Sequence, residues 1–198
     1  MRILGLSSAT KVISFGFIDD DNVLVDKAVD DMRAEMILSY IREAGIKPEE
    51  IEGVAAAIGP GSYSGLRGGA ATAKTLAQTL EIPLVGVSTL EAIAYNAVGQ
   101  EKNIAVMLDA KRDEFNFATF KPVAGRLERL TEDQVLREIE IKAKITNDVL
   151  LLDGRQTHPL GINVAKIGLA LLKSGQTADP LKLVPQYSHL PNIRLFKS

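Results

Sequence analysis

Apolar residues in the first thirty positions fall into three short runs, 2–7, 12–18 and 23–29, rich in Ile, Val, Leu and Phe. The second and third are parted by Asp19-Asp20-Asp21-Asn22, a cluster of turn formers, so two of them read as antiparallel hairpin strands. The spacing then changes to that of a helix over 31–44, with Gly45 where a C-terminal glycine cap belongs. Residues 53–58 form a nearly continuous apolar run, the pattern of a strand buried on both faces. A glycine-rich turn leads from it into a helix over about 65–80, and 83–87 is the next buried strand. Ser88-Thr89-Leu90-Glu91 has the form of a capping box and opens a helix to about residue 98.

The second half starts over. Residues 103–108 and 115–120 predict strands separated by a polar turn over 109–114. Thr131-Glu132-Asp133-Gln134 is a second capping-box pattern and predicts a helix to about 139. A strand follows at 149–152. A helix spans 160–173, with Ile162, Ala165, Leu169 and Leu172 at apolar spacing. The most polar junction, Gln100-Glu101-Lys102-Asn103, divides the chain into two α/β lobes, 1–102 and 103–198, with the last segment expected to pack back on the first lobe.

Two helices carry more apolar or small surface than one buried face needs. In 31–44, Ala34, Ile37, Leu38, Ile41 and Ala44 form the core stripe, and Met32, Met36, Tyr40 and Glu43 form a second one. In 65–80, Leu66, Gly69, Ala73, Leu76 and Leu80 face the core. Gly68, Ala71, Thr72, Thr75 and Thr79 lie on another side, small enough for a second helix to approach closely. These second faces either pack within the same lobe or form a subunit interface with adaptable methionines and an aromatic anchor.

Gly59-Pro60-Gly61-Ser62-Tyr63-Ser64-Gly65-Leu66-Arg67-Gly68-Gly69 lies between a buried strand and a helix. Its glycines permit positive φ and expose amides at a helix N-terminus, a setting that favours an anion. No Gly-Lys-Ser/Thr follows, so it is not a phosphate-binding P-loop. Gly59, Gly61 and Gly65 also miss the dinucleotide spacing, and the next strand ends in Ser88 rather than an acidic ribose ligand. A purely structural turn and an anion or partner site both remain open. Gly59, Gly61 and Ser62, with Asp109 beyond a later strand, are the candidate cofactor contacts. Arg67 in the first helical turn opposes the helix dipole, which invites a carboxylate or phosphate partner, although a solvated arginine is also tolerable there.

Composition narrows the chemistry. The chain has 198 residues, 23 basic against 25 acidic, and no cysteine. Disulfides, zinc–thiolate sites and thiol catalysis are therefore excluded. A net charge of −2 argues against unaided grip on nucleic acid, and the strongest local basic excess is the weak one around His189, Arg194 and Lys197. No stretch approaches a membrane span, and Met1–Leu6 lacks a signal-peptide pattern, so a cytoplasmic protein is expected. His158 and His189 lack metal-ligand spacing, Ser62 and Ser64 have no adjacent histidine, and Asp109, Asp113 and Glu114 suit a solvated turn better than a metal. No catalytic residue and no metal site is predicted.

Four segments carry a resemblance. The opening Met1-Arg2-Ile3-Leu4-Gly5-Leu6-Ser7-Ser8-Ala9-Thr10, the loop 58–66 with Arg67, Leu108-Asp109-Ala110-Lys111-Arg112-Asp113-Glu114-Phe115, and Val184-Pro185-Gln186-Tyr187 resemble the TsaB (YeaZ) family in order and spacing. That resemblance implies a two-lobe actin/Hsp70/sugar-kinase-like (ASKHA) fold with ribonuclease H-like lobes. It also implies a non-catalytic subunit that binds TsaD, with TsaE joining the complex and tRNA reached through it. TsaD makes N6-threonylcarbamoyladenosine beside the anticodon of tRNAs reading codons that start with A. Members also form homodimers through the N-terminal lobe. The expected partner surface is Met32, Met36, Tyr40, Glu43, Arg67, Gly68, Ala71, Thr72 and Thr75. The chain would hold no cofactor of its own, while the complex uses ATP and Mg. Ser7 stands where ATP-using members of the fold place an Asp, the helix 31–44 lacks the TsaD histidine motif, and the late adenosine loop is reduced to Gly154. A hydroxyl cannot supply a carboxylate's charge to Mg²⁺. The competing readings are a small ATP-dependent kinase or hydrolase using the glycine loop and Asp109, and a protease.

Overall fold

The computed structural model describes residues 1–188. Its first sheet is built from β1 (Arg2–Ser7), β2 (Val12–Asp19), β3 (Asn22–Asp30), β4 (Gly53–Gly59) and β5 (Leu84–Ser88), in the order β3-β2-β1-β4-β5. β1 pairs antiparallel with β2 and parallel with β4, and β5 continues the parallel half. One face is covered by α1 (Ile37–Glu43) and α2 (Tyr63–Leu80), closing over Leu4, Leu6, Phe15, Val54 and Ala56. The other face is covered by α5 (Gly161–Lys173), whose Val164, Ala165, Ile167 and Leu169 pack on Ile3, Ile18, Ala55, Val85 and Val87. The last helix thus lies on the first sheet, far in sequence from its strands.

The second sheet runs β10-β6-β7-β8, from β6 (Asn103–Lys111), β7 (Glu114–Val123), β8 (Arg126–Arg129) and β10 (Val149–Asp153). α4 (Glu138–Lys144) buries Ile141 on one face, beside Met107, Phe115 and Phe117. The other face packs on α3 (Thr89–Ala94), of whose six residues all but Glu91 are buried. Leu90, Ile93 and Ala94 of α3 close over Ile104, Val106, Ala118 and Phe120, while Ala92 belongs to the core beneath α5. A short helix buried on nearly all sides is one held between two layers. Ser88 caps it by accepting from the Glu91 amide at 3.4 Å, and the same hydroxyl accepts from Arg129 Nη2 of β8 at 3.0 Å. Burial pushes the Glu91 carboxyl up, against the opposing charge of Arg129.

Four expectations need correction. The helix expected over 31–44 begins as a 3-10 turn at Ala34–Met36 and becomes α-helical only at Ile37. The Asp31 carboxylate accepts from the Arg33 amide and guanidinium at 2.8–3.0 Å, which holds the chain in a turn before the helix. Leu38, assigned to the core stripe, is 46% exposed, because the shortened helix rests on Ile37 and Ile41. The polar turn over 109–114 is only two residues long: Lys111 pairs with Glu114, and Arg112 and Asp113 both have positive φ, as a type I′ hairpin requires. Finally, the helix expected after Thr131 is a strand, β9 (Gln134–Arg137), pairing with the first half of β7. Thr131 Oγ1 accepts from the Thr119 amide at 3.0 Å instead of capping a helix. β8, whose Leu127 and Arg129 point inward, has no counterpart among the expected elements.

Candidate functional site

The glycine-rich loop sits where β1, β4 and α2 converge, and its polar groups are largely used within the chain. Ser62 caps α2, accepting from the Gly65 amide at 3.4 Å, while its own amide donates to the Ala9 carbonyl at 2.7 Å. Ser8 Oγ donates to the Gly65 carbonyl at 2.8 Å. Ser7 is buried at the end of β1, and its Oγ accepts from the Ala9 amide at 3.3 Å. A Cβ on Gly61 or Gly65 would overlap the backbone oxygens of Ala9 or Ser8. The turn after β1 therefore packs directly on the loop's glycines and takes up the Ser62 amide.

The other side of the loop is covered by residues 176–188, which return along β5 and β4 as a strap. The Ala178 amide donates to the Leu84 carbonyl at 2.7 Å, and the Gln186 amide donates to the Ile58 carbonyl at 2.7 Å. Between them Leu183 packs into the first core, and its carbonyl accepts from Lys74 Nζ at 3.2 Å. Gly59 has φ 133°, and a Cβ there would overlap the Gln186 carbonyl oxygen, so glycine is required by both conformation and space. Tyr187 then lies against Tyr63, ring centroids 4.9 Å apart.

Asp109 belongs to the second sheet, exposed near the end of β6. It accepts from the Lys111 ammonium and the Lys111 amide, both at 2.9 Å. These bonds, the ammonium's first, hold its carboxyl below the usual range. Among the described residues no group of three or more His, Asp or Glu is placed to hold a metal. His158 lies between β10 and α5, half-buried, with Nε2 unpartnered. His189, Arg194 and Lys197 lie outside the described residues. Among those described, no helix is long and apolar enough to cross a membrane.

The residues expected to meet a partner fall into three groups. Met32, Glu43, Arg67, Ala71 and Thr75 are exposed. Met36, Tyr40 and Thr72 are half-buried, and Tyr40 OH is committed to Asp31. The Asp31 carboxyl is held well below its usual range by Arg33 first and Tyr40 second. Gly68 is pressed against Ala34 of the same chain, where a Cβ would overlap the Ala34 methyl. Leu38 and Tyr63, 46% and 44% exposed, join this surface without having been expected there. Leu38 was hidden by its helical spacing. The Tyr63–Tyr187 contact joins residues far apart in sequence and leaves no local signal.

The family model described as "TsaD: tRNA N6-adenosine threonylcarbamoyltransferase" matches residues 31–184. The chain is 30% identical to the tRNA threonylcarbamoyladenosine biosynthesis protein TsaB of Bacillus subtilis, over 96% of this chain and 95% of that protein. It is 30% identical to TsaB of Escherichia coli over 61% of this chain and 55% of the relative. The solved structure of YeaZ from Pseudomonas aeruginosa superposes with a TM-score of 0.81 at 18% identity, covering 94% of this chain and 99% of that one. The shared architecture is the two-lobe, actin-like α/β fold. With identity sustained along nearly its whole length, the chain belongs to the TsaB (YeaZ) family.

Proposed function

We propose that this chain is a non-catalytic, cytoplasmic subunit that binds TsaD and supports it in forming N6-threonylcarbamoyladenosine beside the anticodon of tRNAs reading codons that start with A. Its relatives' names supply the pathway, since TsaB of Bacillus subtilis is a tRNA threonylcarbamoyladenosine biosynthesis protein. The observation that carries the binding role is the outer face of α2. In an 18-residue helix, the exposed side chains are Tyr63, Ser64, Arg67, Ala71, Thr75, Gln78 and Thr79, and only Arg67 is charged. A solvated helix face ordinarily carries charge, whereas a face that meets another helix favours small residues.

Beside it, α1 and the turn before it present Met32 and Leu38, 61% and 46% exposed. Together the two elements offer a surface suited to TsaD or to a second copy of the chain. TsaE and tRNA join through the complex, which uses ATP and Mg; this chain contributes no cofactor site. The loop geometry supports that division, because the Ser62 amide and the Ser8 hydroxyl are bonded within the chain.

Reconstitution tests the reading. TsaD and TsaE would be supplied with ATP, tRNA and threonylcarbamoyl-adenylate, and modified tRNA measured with and without this chain. Modification should depend on the chain, and an equal yield in its absence overturns the proposal.

A further inference from the structure

Arg67 lies in the second turn of α2, which begins at Tyr63. Its exposed guanidinium is held rather than free. Nη1 donates to Tyr63 OH at 3.2 Å, and Cζ lies 5.4 Å from the centroid of the Tyr63 ring. Tyr63 in turn packs on Tyr187 of the strap. Among the described residues three arginines lie over an aromatic ring; Arg129 and Arg155 also pair with Asp133 and Asp153, whereas Arg67 makes no ion pair. A cation fixed on the first of two stacked tyrosines and lacking an acid is a group prepared for an acid from outside.

We infer that Tyr63, Arg67 and Tyr187 form the anchor of the partner surface and receive a carboxylate side chain of the partner protein. This inference rests on the TsaD-binding reading above. Tyr and Arg are the residue types that dominate interface hot spots, and Arg presents a planar fork matched to a carboxylate. A phosphate backbone is the poorer fit. Nucleic acid is gripped by several cations together, but α2 carries only one other, Lys74, whose ammonium is turned to the Leu183 carbonyl. The uncharged face of α2 continues directly from Arg67 through Ala71 to Thr75.

The strap acquires a role in consequence. Tyr187 reaches Tyr63 only because Leu183 and Gln186 fasten residues 178–187 across β5 and β4. The anchor is therefore composite, and its shape depends on a segment more than a hundred residues away in sequence.

The test is binding of the full chain to TsaD by calorimetry at low and high salt, with Arg67→Glu, Arg67→Lys, Tyr187→Ala and Tyr187→Phe, and thermal melting of each variant alone. Arg67→Glu should weaken binding by roughly 30-fold or more, the loss expected of a hot spot. Arg67→Lys should retain part of the affinity and its salt dependence. Tyr187→Ala should weaken binding by roughly tenfold, more than Tyr187→Phe. Melting temperatures unchanged by the Arg67 substitutions confirm that the loss lies in the interface. Affinity unaffected by Arg67→Glu and Tyr187→Ala overturns the anchor while leaving TsaD binding intact. No binding by the unsubstituted chain overturns both. If Arg67→Glu instead abolishes retention of tRNA by the complex at unchanged TsaD affinity, the group met is a phosphate and the carboxylate assignment fails. Loss of self-association alone, with TsaD affinity kept, assigns the anchor to a second copy and overturns it likewise.

Discussion

Gly16 of β2 and Ile162 of α5 meet backbone to backbone, so that a Cβ on Gly16 would overlap the Ile162 amide nitrogen. Gly5 stands in the same relation to Ala165, and Gly161 to Phe15. The first turns of α5 thus cross β1 and β2 at a distance that only glycine allows. Gly16→Ala should force α5 away from the sheet at a cost of about 1–3 kcal/mol, the usual range for overpacking. Gly99, with open space around its Cβ position, serves as the control: Gly99→Ala should stay within about 0.5 kcal/mol. Urea unfolding of the three proteins measures both, and equal midpoints would show that the close crossing has little energetic weight.

The partner surface calls for substitutions that leave the monomer intact. Leu38→Glu and Met32→Glu alter exposed side chains and should abolish association with TsaD or a second copy without lowering the melting temperature. Tyr40 is a poorer probe, because Glu there would face the Asp31 carboxylate that now accepts from the tyrosine hydroxyl. Tyr40→Phe removes a hydrogen bond to a charged group, so it should lower the melting temperature and leave association unchanged. Sedimentation and thermal melting together separate the two effects. Association that persists in both glutamate variants would place the interface elsewhere.

The sequence carried the first lobe well because its strands and α2 announce themselves by local pattern. Residues 2–7 and 53–58 are apolar at strand length, and Gly45 marks the end of α1 as local chemistry predicts. It failed where two local rules conflicted or the cause was distant. Thr131–Gln134 has the letters of a capping box, but half of β7 offered an unpaired edge, and Gln134–Arg137 took it. Ladder bonds formed along that edge outweigh a cap worth about 1 kcal/mol. The glycine loop is the clearer case. Its glycines suggest exposed amides, yet the groups that fill its space, Ser8, Ala9 and Gln186, come from two other stretches of the chain. A surface set by such meetings, Tyr63 with Tyr187 for instance, has no period to read.

Stability should depend on pH through Asp20. Its carboxylate accepts from Lys173 at 2.7 Å and from the Met1 ammonium at 2.9 Å. Lys173 first, then the amino terminus, lowers its pKa from 3.8 to about 2. The folded value is depressed, so the contribution is fully present above about pH 4 and is lost as pH falls toward 2. Asp20→Asn should therefore lower the melting temperature at pH 7, and the gap from the unsubstituted protein should close on acidification. The pair is exposed, so high salt should shrink the gap at neutral pH as well. A gap that stays constant from pH 7 to pH 2 would assign the effect to something other than ionisation.

The strap separates a partner protein from a small ATP-dependent kinase most directly. If the loop were a working phosphate cradle, Asp109 would have to act with it on Mg²⁺ and phosphate. Yet Asp109 is bonded to Lys111 in the second sheet, while the Ser62 amide and hydroxyl are committed to Ala9 and Gly65. Isothermal titration of the isolated chain with Mg-ATP should show no saturable heat, and Asp109→Ala should behave as the unsubstituted protein does. Gly59→Ala should act differently, since its methyl must displace the Gln186 carbonyl and strain a backbone at φ 133°. Hydrogen exchange at 178–187 should then rise, with Tyr187 leaving Tyr63, and TsaD affinity should fall. Saturable ATP binding abolished by Asp109→Ala would reverse the assignment, because no surface role for Asp109 predicts it.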